Sequence, residues 1–117
     1  MPCRWLYPET VKALRRCAWK ERIPYKNGSE EELDQLETML SSGKQIHALF
    51  CELPSNIKLS SVNLGRIRSL ADKYGFIVAC DDTVASCVNV DVLPYSDVVI
   101  TSLTKSFSGA SNVTGGR

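Results

Sequence analysis

Residues 63–82 read NLGRIRSLADKYGFIVACDD and decide the fold class. Four apolar residues recur at helical spacing and predict a helix from Asn63 to Tyr74: Leu64, Ile67, Leu70 and Ala71. Gly75 is the type of residue that ends a helix. The next five residues, 76–80, form an apolar run of strand length, which stops at a pair of aspartates. The stretch therefore predicts a helix followed by a buried strand.

The same alternation of helix and strand extends in both directions along the chain. Apolar runs at 46–51 and 97–101 predict two further strands. Ser29 to Glu32 is a capping box that opens a predicted helix over 29–40, and a shorter helix is predicted over 9–19. Strands that are apolar throughout and separated by helices are typical of a parallel sheet covered by helices on both faces. We therefore expect an α/β fold with a mostly parallel sheet.

Polar side chains follow each of the three predicted strands. Glu52 and Asn56 come after the first strand, Asp81 and Asp82 after the second, and a hydroxyl-rich turn with a lysine after the third. Ligands of such sheets bind beyond the carboxyl ends of the strands. The sequence therefore predicts a binding site where these ends meet.

The predicted strand ends carry a combination of groups that suits one cofactor. A lysine just past a buried strand, Lys105, can form a Schiff base with a carbonyl compound. The hydroxyls of Ser102 and Thr104 can bind a phosphate, although no glycines precede Lys105 as a Walker loop requires. Asp81 closes an apolar strand and needs a cationic partner, such as a protonated ring nitrogen. Together these groups indicate pyridoxal phosphate (PLP).

Composition excludes several other classes of protein. The formal net charge of the 117 residues is +1, with both signs scattered, so no nucleic-acid or membrane partner is predicted. No apolar run is long enough to span a bilayer, and the first residues do not have the pattern of a signal peptide. The five cysteines include no closely spaced pair, and His47 is the only histidine. We therefore expect reduced thiols, no metal site and a cytoplasmic location.

Three motifs carry a resemblance to a known family. They are Glu52-Leu53-Pro54-Ser55-Asn56, Cys80-Asp81-Asp82-Thr83, and Thr101-Ser102-Leu103-Thr104-Lys105-Ser106-Phe107-Ser108-Gly109 through Gly115-Gly116. In this order they resemble the PLP-binding core of the Cys/Met-metabolism enzymes, and their form is nearest the fungal cystathionine γ-synthase branch. The resemblance extends weakly to residues 6–10 and covers nearly the whole chain. It implies the large PLP-binding domain of the type I, aspartate aminotransferase-like fold.

The resemblance also implies a role for each site residue. Lys105 would form the internal aldimine with PLP and then transfer protons, and Asp81 would pair with the pyridinium nitrogen. Four further residues would contact the cofactor. Ser102 and Thr104 would bind its phosphate, Asn56 would bind its phenolic oxygen, and Thr83 would lie near its ring. Several positions depart from the family pattern and weaken any assignment of substrate: Ile57, Asp82, Thr101 and Leu103.

The reaction that the resemblance implies is transsulfuration. Cysteine would replace the γ-substituent of an O-acylhomoserine, with a small amino acid as the substrate. Cystathionine lyase and O-acylhomoserine sulfhydrylase activities stay open, as does a non-catalytic truncated remnant. An unrelated nucleotide-binding module ranks last, because no glycine-rich turn follows the first strand.

We expect 1–117 to be a partial PLP-binding domain, truncated at both ends and without the substrate domain. The family is homo-oligomeric, whereas the state of this segment stays open.

Overall fold

The computed structural model describes residues 6–16, 21–56 and 58–117, and a three-stranded parallel sheet organises them. The strands are β1 (Ala48–Glu52), β2 (Ile77–Asp81) and β3 (Val98–Ile100), in the order β1-β2-β3. All three predicted strands are present within one or two residues of their expected bounds. The register pairs Glu52 with Asp81, and Asp81 with Ile100. The carboxyl ends of the strands therefore meet at one edge of the sheet.

Three longer helices accompany the sheet. They are α1 (Pro8–Arg16), α2 (Glu30–Ser41) and α3 (Leu64–Tyr74). The predicted helix over 9–19 corresponds to α1, but residues 17–19 lie outside the described part of the chain. Ser29 caps α2 by accepting from the Glu32 N–H, and Gly75 ends α3 in the left-handed conformation at φ +73°. Within the described ranges, no helix has the length and apolar character needed to cross a membrane.

Short helical pieces follow the second and third strands. They are α4 (Ser86–Asn89), a 3-10 turn (Leu93–Tyr95) and a π-helical turn (Leu103–Phe107). The sequence predicts only a connector over 90–94. Within the π-helical turn the backbone of Lys105 is not helical, with φ −84° and ψ −105°. This departure breaks the turn at the lysine.

The two faces of the sheet differ in burial. Alternate side chains of β1 and β2 are buried in a core shared with α2 and α3: Leu49, Cys51, Val78 and Cys80. Apolar side chains at other positions of the strands are exposed, Ile77 by 51% and Val98 by 46%. Successive side chains of a strand point to opposite faces. Glu52 and Asp81, each next to a core cysteine, are therefore directed to the face opposite the core.

Asp97 fixes the start of β3 against its neighbours. Its carboxylate accepts from the Val78 N–H at 2.8 Å and from the Arg68 guanidinium at 2.9 Å. The hydrogen bond from Val78, followed by that from Arg68, lowers the pKa of Asp97. This contact ties β3 to β2 and α3, and so sets where the turn that carries Lys105 begins.

Candidate cofactor site

A cleft of about 720 Å³ lies at the carboxyl ends of the three strands. All six residues that the sequence predicts to contact the cofactor line it: Asn56, Asp81, Thr83, Ser102, Thr104 and Lys105. They come from the loop after β1, the end of β2 and the turn after β3. The parallel register brings these segments together, as the strand-end argument predicts.

Of the two neighbouring aspartates, only Asp81 is among the residues that line the cleft. Asp81 is half-buried, and its Oδ1 accepts from the Thr83 N–H at 3.0 Å. Asp82 is 2% exposed, and its Oδ1 accepts from the Thr101 hydroxyl. The backbone N–H of Asp82 also donates to the Ile100 carbonyl at 3.0 Å. Asp82 therefore holds two strand ends together, whereas Asp81 presents a carboxylate to the cleft.

The turn after β3 rests on residues near the end of the chain. The Leu103 N–H donates to the Gly115 carbonyl at 2.9 Å, and the Gly115 N–H donates to Thr104 Oγ1 at 3.1 Å. Because Thr104 Oγ1 is the acceptor in this bond, its O–H can donate to a ligand. Lys105 is exposed. The π-helical turn thus places an exposed lysine among the residues that line the cleft.

Glu52 is a buried carboxylate that also lines the cleft. It is 7% exposed and accepts from the Tyr7 N–H at 2.5 Å and from the Asn56 N–H at 3.4 Å. Burial raises its pKa, and the neighbouring charge of Asp81 acts in the same direction, while the two hydrogen bonds oppose them. Through these contacts Glu52 holds the loop that presents Asn56, so its role is structural.

Other residues of the cleft are missed by sequence reasoning. They are Tyr7, Pro54, Val84, Ser106, Thr114 and Gly115. Pro54, Ser106 and Gly115 stand within the quoted motifs, which is a local signal that could have identified them. Tyr7 and Thr114 lie far along the chain from the strand ends, so only the folded chain brings them to the cleft.

Replacement of Glu52 with glutamine is expected to change how stability depends on pH. A carboxyl whose pKa is raised by folding stabilises the folded state below the usual glutamate pKa, and this contribution is lost as pH rises through the raised pKa. The unfolding free energy of Glu52→Gln should therefore fall less than that of the unmodified protein as pH rises from the usual glutamate pKa towards neutrality. Urea unfolding at a series of pH values measures this. Glu21→Gln, at an exposed position, is the control, and equal pH slopes for Glu52→Gln and the unmodified protein would contradict the prediction.

The donor set of the cleft fits pyridoxal phosphate. Two hydroxyls and an amine lie on one turn, a carboxylate ends the central strand, and an amide comes from the loop after β1. A phosphate needs hydrogen-bond donors, an aldehyde needs an amine, and a pyridinium nitrogen needs an anion. The three requirements are met by different segments that face the same space.

Comparison with known proteins places the chain in a family. The family model of the Cys/Met metabolism PLP-dependent enzymes matches residues 3–117. The chain belongs to this family. The match confirms the resemblance drawn from the three motifs, and it confirms pyridoxal phosphate as the cofactor of the family. It also agrees with the observed parallel sheet flanked by helices.

Individual relatives give the same result. The chain is 54% identical over 112 residues to the cystathionine gamma-synthase-like protein ankD of Aspergillus thermomutatus. This alignment covers 96% of this chain and 20% of that protein. It is 48% identical over 110 residues to the cystathionine gamma-synthase of Neurospora crassa, covering 94% of this chain and 18% of the relative. The chain thus spans about a fifth of the length of these curated relatives.

A solved structure has a similar fold. It is described as an O-acetylhomoserine (thiol)-lyase of Campylobacter jejuni and contains a pyridoxyl-lysine monophosphate. The TM-score is 0.78 and the identity 25%, and the alignment covers 97% of this chain and 28% of the other. The α/β fold predicted from the sequence is therefore that of PLP-dependent enzymes.

Proposed function

We propose that this chain is the lysine-bearing part of the PLP site in a transsulfuration enzyme of cystathionine γ-synthase type. The enzyme would replace the acyloxy group of an O-acylhomoserine with the thiol sulfur of cysteine. One observation carries the proposal: six residues from three separate segments line a single cleft at the ends of parallel strands. The similarity to fungal cystathionine γ-synthases supports the choice of reaction.

Each site residue would have a distinct task in binding. Lys105 Nζ would bond covalently to the cofactor aldehyde, and Asp81 would keep a proton on the ring nitrogen. Ser102 and Thr104 would donate to the phosphate, and Thr104 can do so because its oxygen already accepts from the Gly115 N–H. Asn56 would donate from its side-chain amide to the phenolic oxygen.

The same residues would move protons during turnover. Bound pyridoxal phosphate supplies an electron sink that stabilises negative charge on the substrate α-carbon. After the substrate amine has replaced Lys105 on the cofactor aldehyde, the free Lys105 Nζ would accept the α-proton and then assist proton loss at Cβ. The acyloxy group would then leave Cγ as a carboxylate. The cysteine thiolate would form the new C–S bond at Cγ, and Lys105 would return the protons. An exposed lysine that lines the cleft can reach a substrate that enters from solvent.

O-acylhomoserine sulfhydrylase is the second candidate function. The structural similarity to an O-acetylhomoserine (thiol)-lyase favours it. The two reactions share every step up to loss of the acyl group and differ in whether cysteine or sulfide attacks Cγ. Turnover of O-acylhomoserine with each nucleophile separates the two reactions. Cystathionine formation would support the first proposal, and homocysteine formation would support the second. If neither product forms, the result would support a non-catalytic remnant.

The covalent role of Lys105 can be tested directly on the purified protein. The protein is incubated with pyridoxal phosphate, reduced with borohydride, digested, and mapped by mass spectrometry. We expect a pyridoxyl group on the peptide that contains Lys105. A label distributed over other lysines, or the absence of a label, would contradict the proposed function.

A further inference from the structure

Thr83 connects the two ends of the proposed cofactor site. Its backbone N–H donates to Asp81 Oδ1 at 3.0 Å, and its side-chain Oγ1 accepts from the Ser102 N–H at 2.9 Å. Thr83 is half-buried and lines the cleft. One residue thus contacts both the carboxylate proposed for the ring nitrogen and the residue proposed for the phosphate.

The contact with Ser102 continues towards the lysine. The Ser102 carbonyl accepts from the Lys105 N–H at 3.3 Å, and Ser102 is the residue from which the π-helical turn begins. The Ser102 side chain makes no capping hydrogen bond to this turn. Backbone bonds from Thr101 to Arg117 and from Leu103 to Gly115 hold the chain on either side of Ser102, and the Thr83 hydroxyl accepts from the Ser102 N–H itself.

Strand pairing does not depend on the Thr83 hydroxyl. The β2–β3 ladder ends at the pair Asp81 and Ile100, and the Asp82 N–H extends it by donating to the Ile100 carbonyl. The Asp82 carboxylate binds the Thr101 hydroxyl separately. Loss of the Thr83 hydroxyl would leave these bonds in place and would remove the contact with the Ser102 N–H.

We propose that Thr83 is a positioning residue that holds Ser102 at a set distance from Asp81, so that one ligand can reach both. The inference rests on the proposed function, because it requires that the phosphate binds at Ser102 and the ring nitrogen at Asp81. The Thr83 side chain would affect phosphate binding indirectly, because it holds the backbone of Ser102.

The test compares pyridoxal phosphate with pyridoxal, which lacks the phosphate. Affinities for both are measured by absorbance titration for the unmodified protein, Thr83→Val and Thr83→Ser. Valine removes the acceptor of the Ser102 N–H, so we expect binding of pyridoxal phosphate to weaken about tenfold, since leaving such a donor without a partner carries a cost of this order. Thr83→Ser keeps the acceptor and should stay within about twofold of the unmodified protein, and pyridoxal affinity should change little in any variant.

Equal weakening of pyridoxal and pyridoxal phosphate by Thr83→Val would overturn the inference, and so would a Thr83→Ser variant as weak as valine. If valine lowers the unfolding midpoint, Thr83→Ala replaces it, with the same expected difference between the two ligands. The Ser102→Ala variant provides a second measurement. In that variant, Thr83→Val should weaken the binding of pyridoxal phosphate less than it does in the unmodified protein. A failure of the unmodified protein to bind pyridoxal phosphate at Lys105 would instead overturn the proposed function.

Discussion

Replacement of Lys105 with alanine is expected to abolish the borohydride-stable pyridoxyl label and to lower turnover by at least about 10³-fold, because proton transfer by a positioned side chain alone contributes roughly 10²- to 10⁴-fold. The alanine variant has no amine at the turn after β3 that can bond to the aldehyde or accept the α-proton. Label incorporation and the rate of cystathionine formation are the two measurements.

A matched lysine separates this effect from a general loss of charge. Lys44 lies outside the cleft, where its Nζ pairs with Glu21 Oε1 at 2.7 Å. Lys44→Ala should retain both label and turnover. Added methylamine should restore part of the turnover of Lys105→Ala, since a free amine can replace the missing base. Retention of the label by Lys105→Ala would show that another lysine binds the cofactor.

Replacement of Asp81 with asparagine is expected to lower turnover by roughly 10²- to 10³-fold, the range typical of losing one electrostatic stabiliser of a transition state. An amide cannot keep a proton on the ring nitrogen, so the electron sink that stabilises the α-carbanion is weakened. The phosphate contacts from Ser102 and Thr104 remain. We therefore expect a large effect on kcat and a smaller one on cofactor affinity, measured by steady-state kinetics and absorbance titration.

The adjacent aspartate is the natural control for this substitution. Asp82→Asn makes the same chemical change at a buried carboxylate that binds the Thr101 hydroxyl and is not among the cleft residues. It should lower the unfolding midpoint, because a buried hydrogen bond is altered, while kcat per folded, cofactor-loaded protein stays close to that of the unmodified protein. If Asp82→Asn instead reduced kcat as much as Asp81→Asn, the distinction between the two aspartates would be wrong.

The strands and longer helices could be predicted because each depends on local sequence. Leu64, Ile67, Leu70 and Ala71 mark the buried side of α3, and Gly75 takes the left-handed conformation that ends it. The short elements after Asp81 could not be predicted in the same way. Val92, which precedes the 3-10 turn, is 1% exposed, although the sequence around it predicts only a connector. Contacts with the rest of the fold, and not local periodicity, determine such segments.

In the candidate site, too, some features could be predicted from local sequence and others could not. The chemistry-bearing residues could be named from their positions at strand ends, since parallel strands direct these ends to one edge. The hydrogen bonds that organise them could not. The contacts of Glu52 with the Tyr7 N–H, and of Thr83 with the Ser102 N–H, join residues 45 and 19 positions apart. No spacing rule within one helix or strand predicts contacts over such distances.

By itself, the sequence determined the α/β class, the three strands and the residues that could bind pyridoxal phosphate, because helical periodicity, apolar runs and reactive side chains are local properties. The tertiary structure alone decided which of these residues share a cleft and in what state. Asp81 lines the cleft while Asp82 is buried beside Thr101, and Lys105 lines the cleft with an exposed side chain. The physical reason is that burial and strand-end contacts depend on strand register and on the packing of distant segments, which one stretch of sequence does not contain.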